Sequence, residues 1–300
     1  MLTRENATAL GYLAGWKIFG RLPDGLVSPV FRVGADVASD SGRGMDMLRR
    51  NLTRVVGPEN VTRELVRDAV RSYARYWKEA FQLPRLARDP ELIALLHQSV
   101  RGAQHIDAAR DEGRGVILTL PHSGNWDMAG LWASARYGGF TTVAERLKPE
   151  ALFDAFVDFR HSLGFEVLPL TGGQQPPMRR LEEVLRLGGI VCLLGERDMS
   201  RRGVPVTFFG AETTFPAGPV RLAERTGADL LVAHSWFTGT TRKPGWGFSI
   251  SGPVQEESLE KAAQKVASLF EENIAAHPTD WHMLQPLWPG DIEKRARRRA

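Results

Sequence analysis

The sequence predicts an α/β protein, a central mostly parallel or mixed sheet flanked by helices, preceded by N-terminal amphipathic helices. Three observations predict it. From about residue 115 onward, short β-branched apolar runs alternate with stretches of helical periodicity. One run, "IVCLL" at 190–194, carries no polar alternation, the pattern of a central strand covered on both faces. Before residue 110 the apolar residues recur instead at three and four.

A first helix is expected over about 6–22, where Leu10, Leu13, Ala14 and Ile18 fall close to helical spacing. In "MDMLRRNLTRVVG" (45–57), Leu48, Leu52 and Val55 share one face and Arg49, Arg50 and Arg54 lie largely on the other. A third helix is expected over 62–81, with Leu65, Val66, Ala69, Tyr73, Tyr76, Trp77 and Phe81 on its apolar side and Pro84 ending it. Arg63, Arg67, Arg71, Arg75 and Lys78 recur along it as a basic stripe. That stripe reads either as a solvated helix face or as a surface that meets anionic lipid. Beyond it, strands are expected at 116–120, 141–145, 165–170, 190–194, 204–209, 230–237 and 247–251. Helices are expected at 126–137, 149–163, 177–187, 217–226 and 259–277. "TGGQQPP" (171–177) reads as a loop, and the basic tail "EKRARRRA" as a solvated segment. Neither an internal repeat nor a long linker divides the chain, so one domain is expected: a helical part over 1–110, an α/β part over 111–290, and the tail.

Composition sets the outer limits. With 300 residues and 43% hydrophobic content, the chain can bury a sizeable core. Its one cysteine, Cys192, excludes an intrachain disulfide framework. The net charge of +4 favours anionic partners, whether nucleic acid, lipid headgroups or phosphorylated cofactors, without choosing among them. No apolar run reaches the roughly 18 residues of a membrane span. The nearest, "ATALGYLAGWKIFG" (7–20), is interrupted by Lys17 and lacks the basic start and cleavage site of a signal peptide. A cytoplasmic, membrane-attached protein is the expectation.

Chemistry concentrates in "LTLPHSGNWDMAG" (118–130). His122 follows an expected strand, at the carboxyl end where open α/β sheets place their ligands. Asn125 suits an N-cap, which puts Trp126 and Asp127 in the first helical turn. Asp127 has two readings there: a carboxylate that reaches back to the His122 ring, or an acid that only favours the helix start. Gly124 permits a tight turn and a close backbone approach. A metal site would need more ligands than this pair, with His277, Asp280 and His282 as candidates, and HExxH and CxxC are absent. GxSxG, GxGxxG and the P-loop are absent as well, and Cys192 sits in an apolar strand where a buried structural thiol is the default. Glu196 follows "IVCLLG", so it too should lie at a strand's carboxyl end and converge on His122.

"PHSGNWDMAG" resembles the HxxxxD motif of the lysophospholipid and lipid A biosynthesis acyltransferase family. HxxxxD alone is a weak signal, but further blocks follow in the family's order. "RRNLTRVVG" (49–57) is similar to its N-terminal helical element, and "VAERLKPEALFDAFVDFRHSLGFEVLPL" to its second block, with Glu145 and Arg160 at matching positions. "LLGERDMSRRGVPVTFFG", "FPAGPVRLAERTGADLLVA" and the Trp-rich "HPTDWHMLQPLW" complete the set. "LGYLAGWKIFGRLP", "GERD" and "AERLKP" place the nearest likeness with the family's actinobacterial phosphatidylinositol mannoside branch.

The resemblance implies transfer of a fatty acyl chain, palmitoyl by expectation, from acyl-CoA to the 6-hydroxyl of the mannose on inositol position 2 of a phosphatidylinositol mannoside. It implies no metal, no cofactor beyond acyl-CoA as substrate, no acyl-enzyme and no nucleic acid partner. The place of action would be an anionic membrane surface, at the cytoplasmic face and peripheral. His122 would be the general base, Glu196 its carboxylate partner, and Asp127 the group that positions His122 and the helix start. Oxyanion donors are expected among the backbone N–H groups near Asn125, or from Arg160, which has alternative readings in holding a phosphate or pairing with Glu145. Arg197 and Arg201 suit phosphate binding. Trp126, Leu131 and Trp132 are expected to line an acyl slot.

Overall fold

The change of periodicity near residue 110 marks a change of architecture. The computed structural model describes residues 11, 15–16, 18–146, 150–173, 175–200, 202–240 and 243–292. The helix expected over 6–22 falls mostly outside this set, as do the tail at 293–300 and Arg201.

Several helices precede the main sheet's long strands, among them α1 (Asp24–Ala38), α2 (Asp46–Val56), α3 (Arg63–Leu86), α4 (Pro90–Ser99) and α5 (Ala103–Asp111). The expected helices at 45–57 and 62–81 are present as α2 and α3, whereas α1, α4 and α5 were not anticipated. Thr62 caps α3, its side chain accepting the Leu65 N–H at 3.1 Å. Pro84 does not end α3 but lies inside it. Proline removes the N–H that would bond to the carbonyl four residues back. Here that carbonyl, on Ala80, accepts the Trp16 indole N–H at 3.3 Å, so the helix continues with its acceptor satisfied.

Apart from the exposed Arg63, the basic stripe on α3 is held in ion pairs. Arg71 pairs bidentately with Asp36 of α1 at 2.6 Å, and Lys78 with Asp24 of α1 at 2.6 Å. Arg75 pairs with Glu79 one turn on, and Arg67 with Glu64 and Asp68. The face of α1 turned away from α3 instead exposes Leu26, Val30, Val33 and Val37, each more than half accessible.

The sheet comprises β1 (Val100–Arg101), β2 (Val116–Leu120), β3 (Phe140–Ala144), β4 (Phe165–Pro169), β5 (Ile190–Leu194), β8 (Asp229–Gly239) and β9 (Pro244–Ile250), in the order β1-β9-β8-β2-β5-β3-β4. All neighbours run parallel except β8 and β9. The helices α6 (Trp126–Tyr137), α7 (Glu150–Ser162), α8 (Pro177–Arg186), α9 (Gly218–Thr226) and α10 (Leu259–Ala276) complete the α/β part. β6 (Val204–Phe208) stands apart and pairs with β7 (Ala211–Phe215) as a separate hairpin. Its Val204, Val206 and Phe208 are buried in alternation, so the pattern recorded one covered face and not membership of the main sheet.

Each face of the sheet has its own core. On one, Ile117, Val191, Leu230 and Val232 pack with Phe270, Ile274, Trp281 and Trp288. On the other, Leu118, Leu231 and Phe248 pack with Met128, Trp132 and Phe159. β5 sits between β2 and β3, as expected of a central strand, but it is not covered throughout. Ile190 and Val191 are buried, Cys192 is only partly so, and Leu194 is exposed at the carboxyl end. Something has been left open beside Cys192, on the face that α6 covers.

Candidate active site

β2 and β5 are adjacent and parallel, with Leu120 opposite Leu194. Their carboxyl ends therefore deliver His122 and Glu196 to one place, although 74 residues separate them in sequence. His122 Nδ1 lies 2.8 Å from Glu196 Oε1, and the His122 backbone N–H donates to the same oxygen at 2.6 Å. Glu196 is buried, 1% exposed, while the His122 side chain remains partly accessible. Burial pushes the Glu196 carboxyl up, but the His122 charge and the hydrogen bonds to it prevail and hold it below its ordinary range. A carboxylate on Nδ1 selects the tautomer whose Nε2 lone pair is free to take a proton.

The loop carrying His122 is clamped from both sides. Its carbonyl accepts the His282 N–H at 2.7 Å, and the Gly124 N–H donates to the Asp280 carbonyl at 2.8 Å. The Ser235 hydroxyl of β8 donates to the Ser123 carbonyl at 2.5 Å. Gly124 has φ +56°, and a Cβ there would stand 2.5 Å from the Ser235 carbonyl oxygen, so the turn requires glycine on both counts.

Asn125 is the N-cap expected: its Oδ1 accepts the Met128 N–H at 3.0 Å, and its Nδ2 donates to Glu79 at 2.7 Å. Its side chain is thus committed to structure. Asp127 departs from the expectation that it reaches back to His122. One turn of helix points its carboxylate away from the ring, to Arg160 Nε at 3.0 Å and to the Tyr76 hydroxyl, which donates at 2.9 Å. Arg160 accordingly pairs with Asp127 and not with Glu145. Glu145 lies nearer Arg197, at 3.8 Å. Trp126 packs on Tyr76 with ring centroids 4.0 Å apart and stands 5.8 Å from the His122 ring.

Three contributors were missed from sequence. Glu79, buried on α3, accepts from Asn125, Trp246 and Arg75. Tyr76 holds Asp127. His282 was weighed only as a metal ligand, but it flanks the site with Nε2 3.0 Å from the Ser72 hydroxyl, which donates to Asp280. Burial, with the nearby His122 charge, lowers His282 to about 3 and keeps it neutral. Among the described residues, no three His, Cys, Asp or Glu side chains converge as a ligand set. An acid one turn after Arg75 on a basic helix was the only available hint of Glu79. The Trp-rich closing block was the hint of His282.

From His122 a pocket of about 300 Å³ runs beneath α6, lined mainly by apolar side chains. Trp126, Trp132 and Arg160 line it, as do Glu145 and His282. Leu131, expected there, packs into the core instead. The residues of α6 that face it, Ala129, Gly130 and Ala133, are small and leave space between helix and sheet. The site joins a histidine–carboxylate pair to a long apolar slot. It can deprotonate a hydroxyl beside a bound hydrocarbon chain.

Comparison with known proteins places the whole chain in a family. The family model for bacterial lipid A biosynthesis acyltransferases matches residues 2–289. The phosphatidylinositol mannoside acyltransferase of Mycolicibacterium smegmatis is 49% identical, covering 97% of this chain and 95% of its own. That of Mycobacterium tuberculosis is 48% identical, covering 98% of this chain and 92% of its own. With the match running almost end to end, the chain belongs to the bacterial lipid A biosynthesis acyltransferase family and is an acyltransferase.

Proposed function

We propose that the protein acylates phosphatidylinositol mannosides, moving a fatty acyl chain, palmitoyl by preference, from acyl-CoA to the 6-hydroxyl of the mannose on inositol position 2. The observation that carries this reading is the His122–Glu196 pair at the mouth of an apolar slot. The names of the two relatives supply the acceptor class.

His122 acts as the general base. Nδ1–H donates to Glu196, and Nε2 takes the proton of the acceptor hydroxyl as its oxygen attacks the thioester carbonyl. The ring becomes cationic as this happens, and the Glu196 carboxylate stabilises it. Collapse of the tetrahedral intermediate breaks the C–S bond, and the proton on Nε2 passes to the departing CoA thiolate. The ester and free CoA are the products, and no step calls for a metal or a cofactor. Attack is direct. The one thiol near the slot, Cys192, is pushed far above its ordinary range by burial and is a poor nucleophile. Asp127 and Tyr76 hold Arg160 against the slot wall, where its guanidinium can face developing negative charge. Arg197 and the expected Arg201 would meet phosphate of donor or acceptor.

A water-insoluble acceptor calls for work at a membrane surface, here as a peripheral protein on the cytoplasmic face. The exposed aliphatic stripe of α1 supports this, and no helix among the described residues is long and apolar enough to cross a membrane. The test is incubation with radiolabelled palmitoyl-CoA and a phosphatidylinositol mannoside, with mass spectrometry locating the new ester. Label should move to the 6-hydroxyl, and His122→Ala should abolish transfer while circular dichroism is unchanged. Full activity in that variant would overturn the base assignment, and label remaining on CoA with the wild type would overturn the function.

A further inference from the structure

The slot has a definite lower end, and its residues can be placed by register. β2 ends at Leu120, two residues beyond Leu118, and His122 follows in the loop. Leu118 is opposite Cys192, Cys192 opposite Thr142, and Thr142 opposite Val167, so these four form one row across β2, β5, β3 and β4. Phe140 and Phe165 pair with each other one row lower, two residues further from the carboxyl ends. From the end of β2 to the phenylalanine row is thus about 13 Å of strand, with His122 beyond it.

The two rings close that end. Their centroids are 4.5 Å apart, and both line the slot. Their tips rest on α6 at Gly130, where a Cβ would stand 2.6 Å from Phe165 Cζ and 3.0 Å from Phe140 Cζ. Helix backbone therefore backs the rings, and a chain end arriving there cannot push them aside cheaply. Ala129 and Ala133 line the slot with small side chains, and Cys192 is only partly buried.

We propose that the Phe140–Phe165 ring pair, seated on Gly130, is the floor of the acyl slot and sets the longest chain the enzyme accepts. This rests on the acyltransferase reading above and adds the residues that measure the chain. Methylenes beyond the floor have no apolar space to enter and must buckle or withdraw the thioester from His122. Shorter chains leave the lowest part of the slot unfilled.

The test is a chain-length series from lauroyl- to arachidoyl-CoA, read as ratios of kcat/KM, with Kd values for the matching non-transferable alkyl-CoA thioethers. Ratios are insensitive to the fraction of folded enzyme. Phe165→Ala, with Phe165→Leu as the milder change, should raise the stearoyl-to-palmitoyl ratio by about tenfold or more. Cys192→Leu fills the middle row and should move the preference toward myristoyl by a similar factor. Ile274→Val, in the core on the other face of the sheet, should leave the ratios as in the wild type. Unchanged ratios in both Phe165 variants, or an equal shift in Ile274→Val, would overturn the proposal. The thioether Kd series separates the two readings. Length-dependent binding that responds to Phe165 without any transfer to the mannoside would leave the floor standing and remove the acceptor assignment.

Discussion

Two carboxylates, Asp127 and Glu196, competed for His122, and their surroundings separate them. Glu196 gives one oxygen to both the ring and the backbone of His122, while its other oxygen is buried without a side-chain or backbone partner. Glu196→Gln keeps the shape and an acceptor for both N–H groups but removes the charge that stabilises the imidazolium. We expect kcat to fall about 10²–10⁴-fold with the urea midpoint lowered, since the fold favours the ionised carboxylate. Asp127→Asn should behave differently. It leaves the Arg160 cation facing a neutral amide in a nearly closed site. Loss of one partner of such a pair costs about 3–5 kcal/mol, so urea unfolding should register the change first, at every substrate concentration. An Asp127→Asn enzyme with wild-type stability and an abolished kcat would instead restore Asp127 to the proton-transfer step. A spacing of five made Asp127 the obvious partner in the sequence. That Glu196 makes the contact depends on β5 lying beside β2, and strand order is not written in local spacing.

At the scale of elements, legibility followed the direction in which apolar residues point. α3 and α10 turn them to the core with polar residues opposite; α10 was read with nearly correct bounds, while α3 runs on to Leu86, past its expected end at Phe81. α1 was missed because it is apolar on both sides: Val27 and Ala35 are buried, Leu26, Val30, Val33 and Val37 are exposed, and Pro29 interrupts the sequence pattern. The acids of α1 then explain why the stripe of α3 misled, since Asp24 and Asp36 are its partners from a distant part of the chain. The exposed stripe of α1 has a direct consequence. Val30→Asp with Val33→Asp should weaken sedimentation with anionic vesicles, because an amphipathic helix binds in proportion to its buried apolar area. Turnover of acceptor dispersed in detergent should be kept, as neither side chain lines the slot. Vesicle binding equal to wild type would mean that another face meets the membrane.

Across the whole molecule, the closing segment near residue 280 and strand β8 lock the catalytic loop, and each brings a buried histidine with it. Burial lowers both His234 and His282 to about 3, with smaller contributions from His277 and His122 respectively, so both are neutral in the fold. In the unfolded chain a histidine titrates near 6.5. Between about 6.5 and 3 the unfolded state therefore binds more protons than the native one, and stability must fall as pH falls. Each histidine contributes a slope approaching about 1.4 kcal/mol per pH unit in that window. The depressed Glu196 acts in the same direction, but only at lower pH, as the medium falls through its folded pKa. Mild acid thus reports the histidines before the carboxylate. His234→Phe is the cleaner probe, because a phenyl ring can keep the stacking on Trp236 and His277, whereas His282 also contacts Ser72. Urea unfolding at pH 7.5 and 5.5 should show the wild type losing about 1.4 kcal/mol more than His234→Phe across that interval. Equal losses would mean that His234 is protonated in the native protein, and that the two nitrogens left without partners in the core find compensation from a bound acid or water.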